Sequence, residues 1–271
     1  MSLTIYYDHY QSENKTAWQT VVLIHGWGMH STVWDPIVPA LLSCYHVMVV
    51  DLPGMGRSPV TNSVYNLDYL VDQVVRIVPK HSVVIGWSLG GMVAIRMAAQ
   101  HAESTDKLIT VACNPAFVST EAWPDALNPK ILQRFSDFLV EDWEGTLIRF
   151  LTLQCKGSVR IKNDVRYLKE IVLTHGLPAL KALRAGLVIL QEEQVLADLR
   201  LLSQESLFVL GEYDHLVPMV VSAKITQVNS QSRVALIKGT AHIPFLTEPV
   251  LFIDALSSFL NVELSQPVMA N

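Results

Sequence analysis

Six short runs of aliphatic and β-branched residues set the tightest limit on what this 271-residue chain can fold into. They are TVVLIH (20–25), HVMVVD (46–51), SVVIGW (82–87), LITVAC (108–113), SLFVLG (206–211) and RVALIK (233–238). Most are nearly continuous in apolar character. A strand with one wet face alternates; a strand covered on both faces has no need to. Helical patterns fall between the runs. NLDYLVDQVVRIV places Leu67, Leu70, Val71, Val74, Val75 and Val78 at helical spacing behind Asn66, an N-cap candidate. LGGMVAIRMAAQH follows the third run, and TEPVLFIDALSSFL carries Pro249 early, where a helix tolerates it. This alternation predicts an α/β fold, a mostly parallel central sheet flanked by helices.

The alternation stops between about residues 115 and 200. That span offers NPKILQRFSDFL, WEGTLIRFLTLQ and DVRYLKEIVL, all helical in pattern, and no convincing strand. The prediction is one core domain, 1–114 with 201–271, and a helical lid insertion, 115–200. The lid would cover the carboxyl edge of the sheet, where ligands of open α/β sheets bind. The last residues, ELSQPVMAN, read as a loose tail.

Composition removes several classes of function. Half the residues are apolar, 17% are charged, and the net charge is −5 with no long single-sign block. Nothing there points to nucleic acid. No apolar stretch reaches the ~18 residues that span a bilayer, and the N-terminus lacks the basic and apolar regions of a secretory signal. Three cysteines, Cys44, Cys113 and Cys155, are too few and scattered for a disulfide framework or metal site. The expectation is a cytoplasmic monomer with no metal and no cofactor.

The chemistry is concentrated in GWSLGG, Gly86 to Gly91. It lies between a buried-strand pattern and an apolar helix pattern, the context in which G-x-S-x-G forms a strained turn with an outward serine hydroxyl. Gly86 and Gly90 remove side chains that would collide there, and Gly91 lets the helix approach the strand. Ser88 is therefore the candidate nucleophile. A serine hydroxyl needs a base. Of nine histidines, His242 lies in the loop after the last strand pattern, within reach of such a turn. His25, in HGWG, reads as a structural hydrogen-bonding residue. The base needs an acid to hold its tautomer. Asp214, in GEYDHLVP, follows the strand pattern 206–211; Asp51, in DLPGMGRS, is the second candidate. The glycines of DLPGMGRS do not extend to G-x-G-x-x-G and carry no phosphate-loop signal. Oxyanion donors are expected at the backbone N–H of Leu89, at a helix start, and of Trp27, between two glycines.

Together HGWG, DLPGMGRS, GWSLGG, GEYDHLVP and AHIPF resemble the α/β-hydrolase superfamily over nearly the whole chain. The order Ser88, Asp214, His242 is the order of that family. The tryptophans of HGWG and GWSLGG, with EAWP (121–124) and RFLTLQ (149–154), resemble the pimeloyl-[acyl-carrier protein] methyl ester esterases. The resemblance implies a serine carboxylesterase acting on a methyl ester borne by acyl-carrier protein. It implies a substrate site lined by Trp27, Ser88, Leu89, His242 and the segment Phe150, Leu151, Thr152, Leu153 and Gln154.

From Gly145 to Lys169 six basic residues face one acid, Asp164. Lys162, Arg166 and Lys169 share one helical face, with Val165, Leu168 and Val172 on another. Beside the resemblance, Arg149, Lys162, Arg166 and Lys169 are candidates for docking an acidic carrier; the alternative is a solvated face balanced by Glu144 and Glu170. Gly145 stands where the resemblance leads one to expect an arginine. Two other functions share the motifs: a general esterase for small esters or a C–C bond hydrolase with the same residues, and a ligand-binding receptor on a hydrolase scaffold.

Overall fold

The structure is a computed structural model that describes residues 4–60 and 64–267. Its centre is a seven-stranded sheet in the order β1-β3-β2-β4-β5-β6-β7. The strands are β1 (Tyr7–Tyr10), β2 (Thr20–Ile24), β3 (His46–Val50), β4 (Ser82–Trp87), β5 (Thr105–Val111), β6 (Glu205–Gly211) and β7 (Ser232–Ile237). All pair in parallel except β1, which runs antiparallel to β3. Strands β2 and β4 are buried at every residue, as continuous apolar runs require when helices cover both faces.

The six expected strands are present. The seventh, β1, escaped the pattern because YDHY is an edge strand with mostly exposed side chains. Its backbone pairs with β3 while its side chains face mostly outward, so it carries no apolar run to read.

The helices of the first half are α1 (Val38–Leu42), α2 (Leu67–Val75) and α3 (Leu89–Gln100). Asn66 caps α2: its side chain accepts from the N–H of Tyr69 at 2.9 Å. Helix α3 leaves the end of β4 and is buried along most of its length. Between β5 and β6 come α4 (Pro129–Glu141), α5 (Trp143–Cys155), α6 (Ile161–Val172), α7 (Leu180–Glu192) and α8 (Leu196–Leu201). This segment pairs as β only through the isolated bridges Ala116–Gln194 and Val118–Leu127 among the described residues. Helix α8 packs on α3, and Arg96 of α3 binds Glu193 and Asp198 at 3.1 and 3.2 Å. The C-terminal end of the helical segment is thus rooted on the sheet's own helix layer.

The chain closes with α9 (Val221–Val228), α10 (Pro244–Thr247) and α11 (Pro249–Leu260). Pro249 is the first residue of α11, where its missing N–H costs no helical bond. The expected loose tail is corrected as far as residue 267. Leu264 is buried, and Ser265 N–H donates to Ser43 Oγ at 3.1 Å. One apolar side chain within a polar run is enough to seat it; residues 268–271 lie outside the described residues. No helix among the described residues is long and apolar enough to cross a membrane.

Candidate active site

Parallel pairing brings the carboxyl ends of β2 and β4 through β7 to one edge. Trp27 lies three residues beyond β2, Ser88 one beyond β4, Asp214 three beyond β6 and His242 five beyond β7. Strands β2 and β4 are neighbours, as are β6 and β7. Topology therefore sets Trp27 beside Ser88 and Asp214 beside His242, with the end of β5 between the pairs.

Ser88 has φ 54° and ψ −118°. A positive φ is costly for a residue with a side chain and persists only where the surroundings impose it. Here the imposition is backbone crowding. A Cβ on Gly86 would run into the carbonyl of Gly90, and one on Gly90 into the carbonyls of Ile24 and His25 at the end of β2. A Cβ on Gly91 would lie 2.5 Å from Cys113 Cβ. The glycines thus let strand, turn and helix nest against one another and against β2; the space they provide is for backbone first. Ser88 N–H is held by Val111 O at 2.9 Å.

His242 Nδ1 lies 2.7 Å from Asp214 Oδ2, and both side chains are buried. The other carboxylate oxygen accepts from the N–H groups of Leu216 and Val217 at 2.7 and 3.0 Å. These bonds fix the carboxylate's orientation and support its charge. With Nδ1–H facing Asp214, Nε2 is the free basic nitrogen. Ser88 Oγ and His242 Nε2 are both buried without a hydrogen-bond partner. An unpaired buried polar group costs about 1–3 kcal/mol, and here two such groups belong to the atoms that proton transfer would join. The His242 loop is fixed from both sides: Trp87 Nε1–H donates to His242 O at 2.8 Å, and His242 N–H donates to Gln154 O at 3.1 Å.

Asp51, the second candidate acid, is engaged elsewhere. Its oxygens accept from Ser31 N at 2.7 Å and from Arg57 N and Nε at 2.9 and 3.2 Å. His25 Nε2 accepts from Leu52 N–H at 2.9 Å, which leaves Nδ1–H to donate to Gly26 O at 2.8 Å. Burial pushes its pKa down to about 4. His25 is a neutral brace between two loops.

Leu89 opens α3, so its N–H is among those a helix start leaves unpaired. The Trp27 side chain is fully buried: its Nε1–H donates to Leu183 O of α7 at 2.8 Å, and its ring meets Phe150 edge-on at 4.7 Å.

The five residues from Phe150 to Gln154 sit on one helix, so they cannot share a surface. Phe150, Leu151 and Gln154 are buried; Thr152 is exposed and bonds back to Ile148 O. Thr152 and Leu153 line an outer groove of about 450 Å³ between α4 and α5, together with Phe135, Arg134, Arg149 and Lys156. Gln154 is buried with its side-chain nitrogen and oxygen both unpaired.

The four docking candidates divide between two hollows. Arg149 lies at the groove and pairs with Asp142 at 3.4 Å. Lys162, Arg166 and Lys169 line a second hollow with Val165, Glu170 and Leu173. Gly145 donates its N–H to Asp142 Oδ1 at 2.9 Å, and a side chain there would meet that capping carboxylate. Arg134, on the same groove, carries no signal beyond its residue type; Trp87, behind the His242 loop, is marked by the resemblance, but its bond to His242 is not.

The sequence pattern of the alpha/beta hydrolase fold matches residues 19–249. The chain is 40% identical to the pimeloyl-[acyl-carrier protein] methyl ester esterase of Aeromonas hydrophila over 241 residues, covering 89% of this chain and 94% of that one. It is 36% identical to the enzyme of the same name from Vibrio cholerae, with the same coverage. Among solved structures, the esterase of Exiguobacterium antarcticum superposes with a TM-score of 0.84 at 19% identity, over 95% of each chain. That last likeness speaks for the fold alone.

Proposed function

The chain belongs to the α/β-hydrolase family and, within it, to the pimeloyl-[acyl-carrier protein] methyl ester esterases, and on that premise we propose the following chemistry for its residues. It is a serine carboxylesterase that hydrolyses the distal methyl ester of a pimeloyl chain on acyl-carrier protein, releasing methanol and leaving the thioester intact. It works as a cytoplasmic monomer, a setting in keeping with free Cys44, Cys113 and Cys155.

The carrying observation is the convergence at one sheet edge of a strained serine and a carboxylate-backed imidazole, each with its reactive atom unpaired. His242 Nε2 takes the Ser88 proton as Oγ attacks the ester carbonyl. The Asp214 carboxylate stabilises the imidazolium and keeps the ring oriented. The N–H groups of Trp27 and Leu89 hold the oxyanion. His242 then protonates departing methoxide, and water activated by the same nitrogen releases the acid.

A thioester is intrinsically more reactive than a methyl ester, so serine chemistry alone would choose wrongly. Positioning makes the choice. Residues 115–200 act as a lid: the carrier rests outside on the cations of α5 and α6, the acyl arm passes beneath, and only the far ester reaches Ser88. Support comes from the exposed side chains of Lys162 and Arg166 and from the burial of Ser88 and His242.

The test is mass spectrometry of methyl pimeloyl-carrier protein after incubation with the enzyme. The expected product has lost one methylene's mass and keeps its thioester. Release of free carrier instead would overturn the selectivity, and unchanged substrate would overturn the function.

A further inference from the structure

Trp27 is placed as an oxyanion donor through its backbone, and the peptide that carries that N–H is held first by its own loop: Gly26 O accepts from His25 Nδ1–H at 2.8 Å and from Met29 N–H at 3.3 Å. On the other side of Trp27 stands Gly28, at φ +74°. The side chain that follows is fixed by the lid helices. Leu183 and Gly186 lie three apart on α7 and so share a face. The indole crosses that face, donating Nε1–H to Leu183 O at 2.8 Å. It presses against the bare Cα of Gly186: a Cβ there would lie 2.6 Å from Trp27 Cδ1 and 3.0 Å from Nε1. Phe150 of α5 bears on the ring at 4.7 Å. A glycine inside a helix costs about 1 kcal/mol relative to alanine, and the close approach of the indole is the structural reason for one at 186.

We propose that Leu183 and Gly186 are positioning residues: by clamping the Trp27 indole, helix α7 aims the Trp27 N–H at the oxyanion, so the hole is complete only when the lid is seated. This rests on the esterase reading above, with Trp27 as donor. A misplacement of about 1 Å costs about 10²-fold in rate, and loss of one oxyanion donor about 10²–10³-fold.

The experiment is steady-state hydrolysis of p-nitrophenyl acetate by wild type, Ser88→Ala, Gly186→Ala, Trp27→Phe and the double variant Trp27→Phe/Gly186→Ala. Gly186→Ala should lose at least ~10-fold in kcat with KM within about twofold, the mark of an interaction made in the transition state. Trp27→Phe, which cannot bond Leu183, should show the same split. Both substitutions act on the same clamp, so their losses should be less than multiplicative in the double variant; a merely structural role for Gly186 would multiply its loss onto the other. In 5-fluorotryptophan-labelled protein, the fluorine signal missing from Trp27→Phe should shift in Gly186→Ala. Unchanged kcat in Gly186→Ala, multiplying losses, or an unmoved signal would overturn the positioning role. If Gly186→Ala does not fold, Trp27→Phe decides: wild-type kcat there overturns it. Wild-type turnover that does not depend on Ser88 overturns the esterase reading itself, and with it this one.

Discussion

The sheet edge that carries Ser88, Asp214 and His242 and the helical span from 115 to 200 are built by opposite means. At the sheet edge each reactive group hangs within a few residues of a strand, and β4 has no exposed position. In the helical span, α4 buries only Leu132 and Leu139 of its thirteen residues. The first region is held by neighbours on every side and tolerates little displacement. The second turns a wide charged surface to solvent and is tied down at chosen points, such as Arg96 at its C-terminal root. The reactive groups of the proposed ester chemistry sit on the first; docking of a large partner is proposed for the second.

That contrast is open to attack by mutation. The largest effect should come from Ser88→Ala, a loss on the order of 10⁶-fold in kcat on small and carrier-borne esters alike, with the melting temperature preserved. Appreciable turnover in this variant would remove the sheet edge from the chemistry. Asp214→Asn should lose about 10⁴-fold, again on both substrates. Asp51→Asn is its control and should cost stability before activity, since Asp51 binds Ser31 and Arg57. If Asp51→Asn proved the slower enzyme, the acid would be misassigned. The smallest effect belongs to the lid surface. Lys162→Glu with Arg166→Glu should lower kcat/KM for the carrier-borne methyl ester roughly 10-fold at low salt, less at high salt, and leave p-nitrophenyl acetate within about twofold. Equal losses on the two substrates would erase the division between the regions. Arg149 serves this test less well, because reversing it sets a glutamate against Asp142, the cap of its own helix.

The same division marks what could be read from the chain. Strands covered on both faces announce themselves as apolar runs, and the elbow glycines announce the serine. Asp214 could be preferred over Asp51 because it follows a strand in the right order, while the bonds that occupy Asp51 come from Ser31 and Arg57 only after folding. Edge strand β1 left no apolar signature. The resemblance implies Phe150 to Gln154 as a block; helical periodicity already separates exposed Thr152 from buried Phe150 and Gln154. The role of Gly186 was out of reach, because its partner Trp27 lies 159 positions earlier and only the packing of α7 brings them together.

The bond between Trp87 and the His242 loop has a mechanical meaning. Trp87 and Ser88 are consecutive, and the Trp87 indole holds the carbonyl of His242. The candidate serine and the candidate base are therefore tied through a single residue. A single hydrogen bond thus joins the end of β4 to the backbone that follows β7, with two strands between them in the sheet.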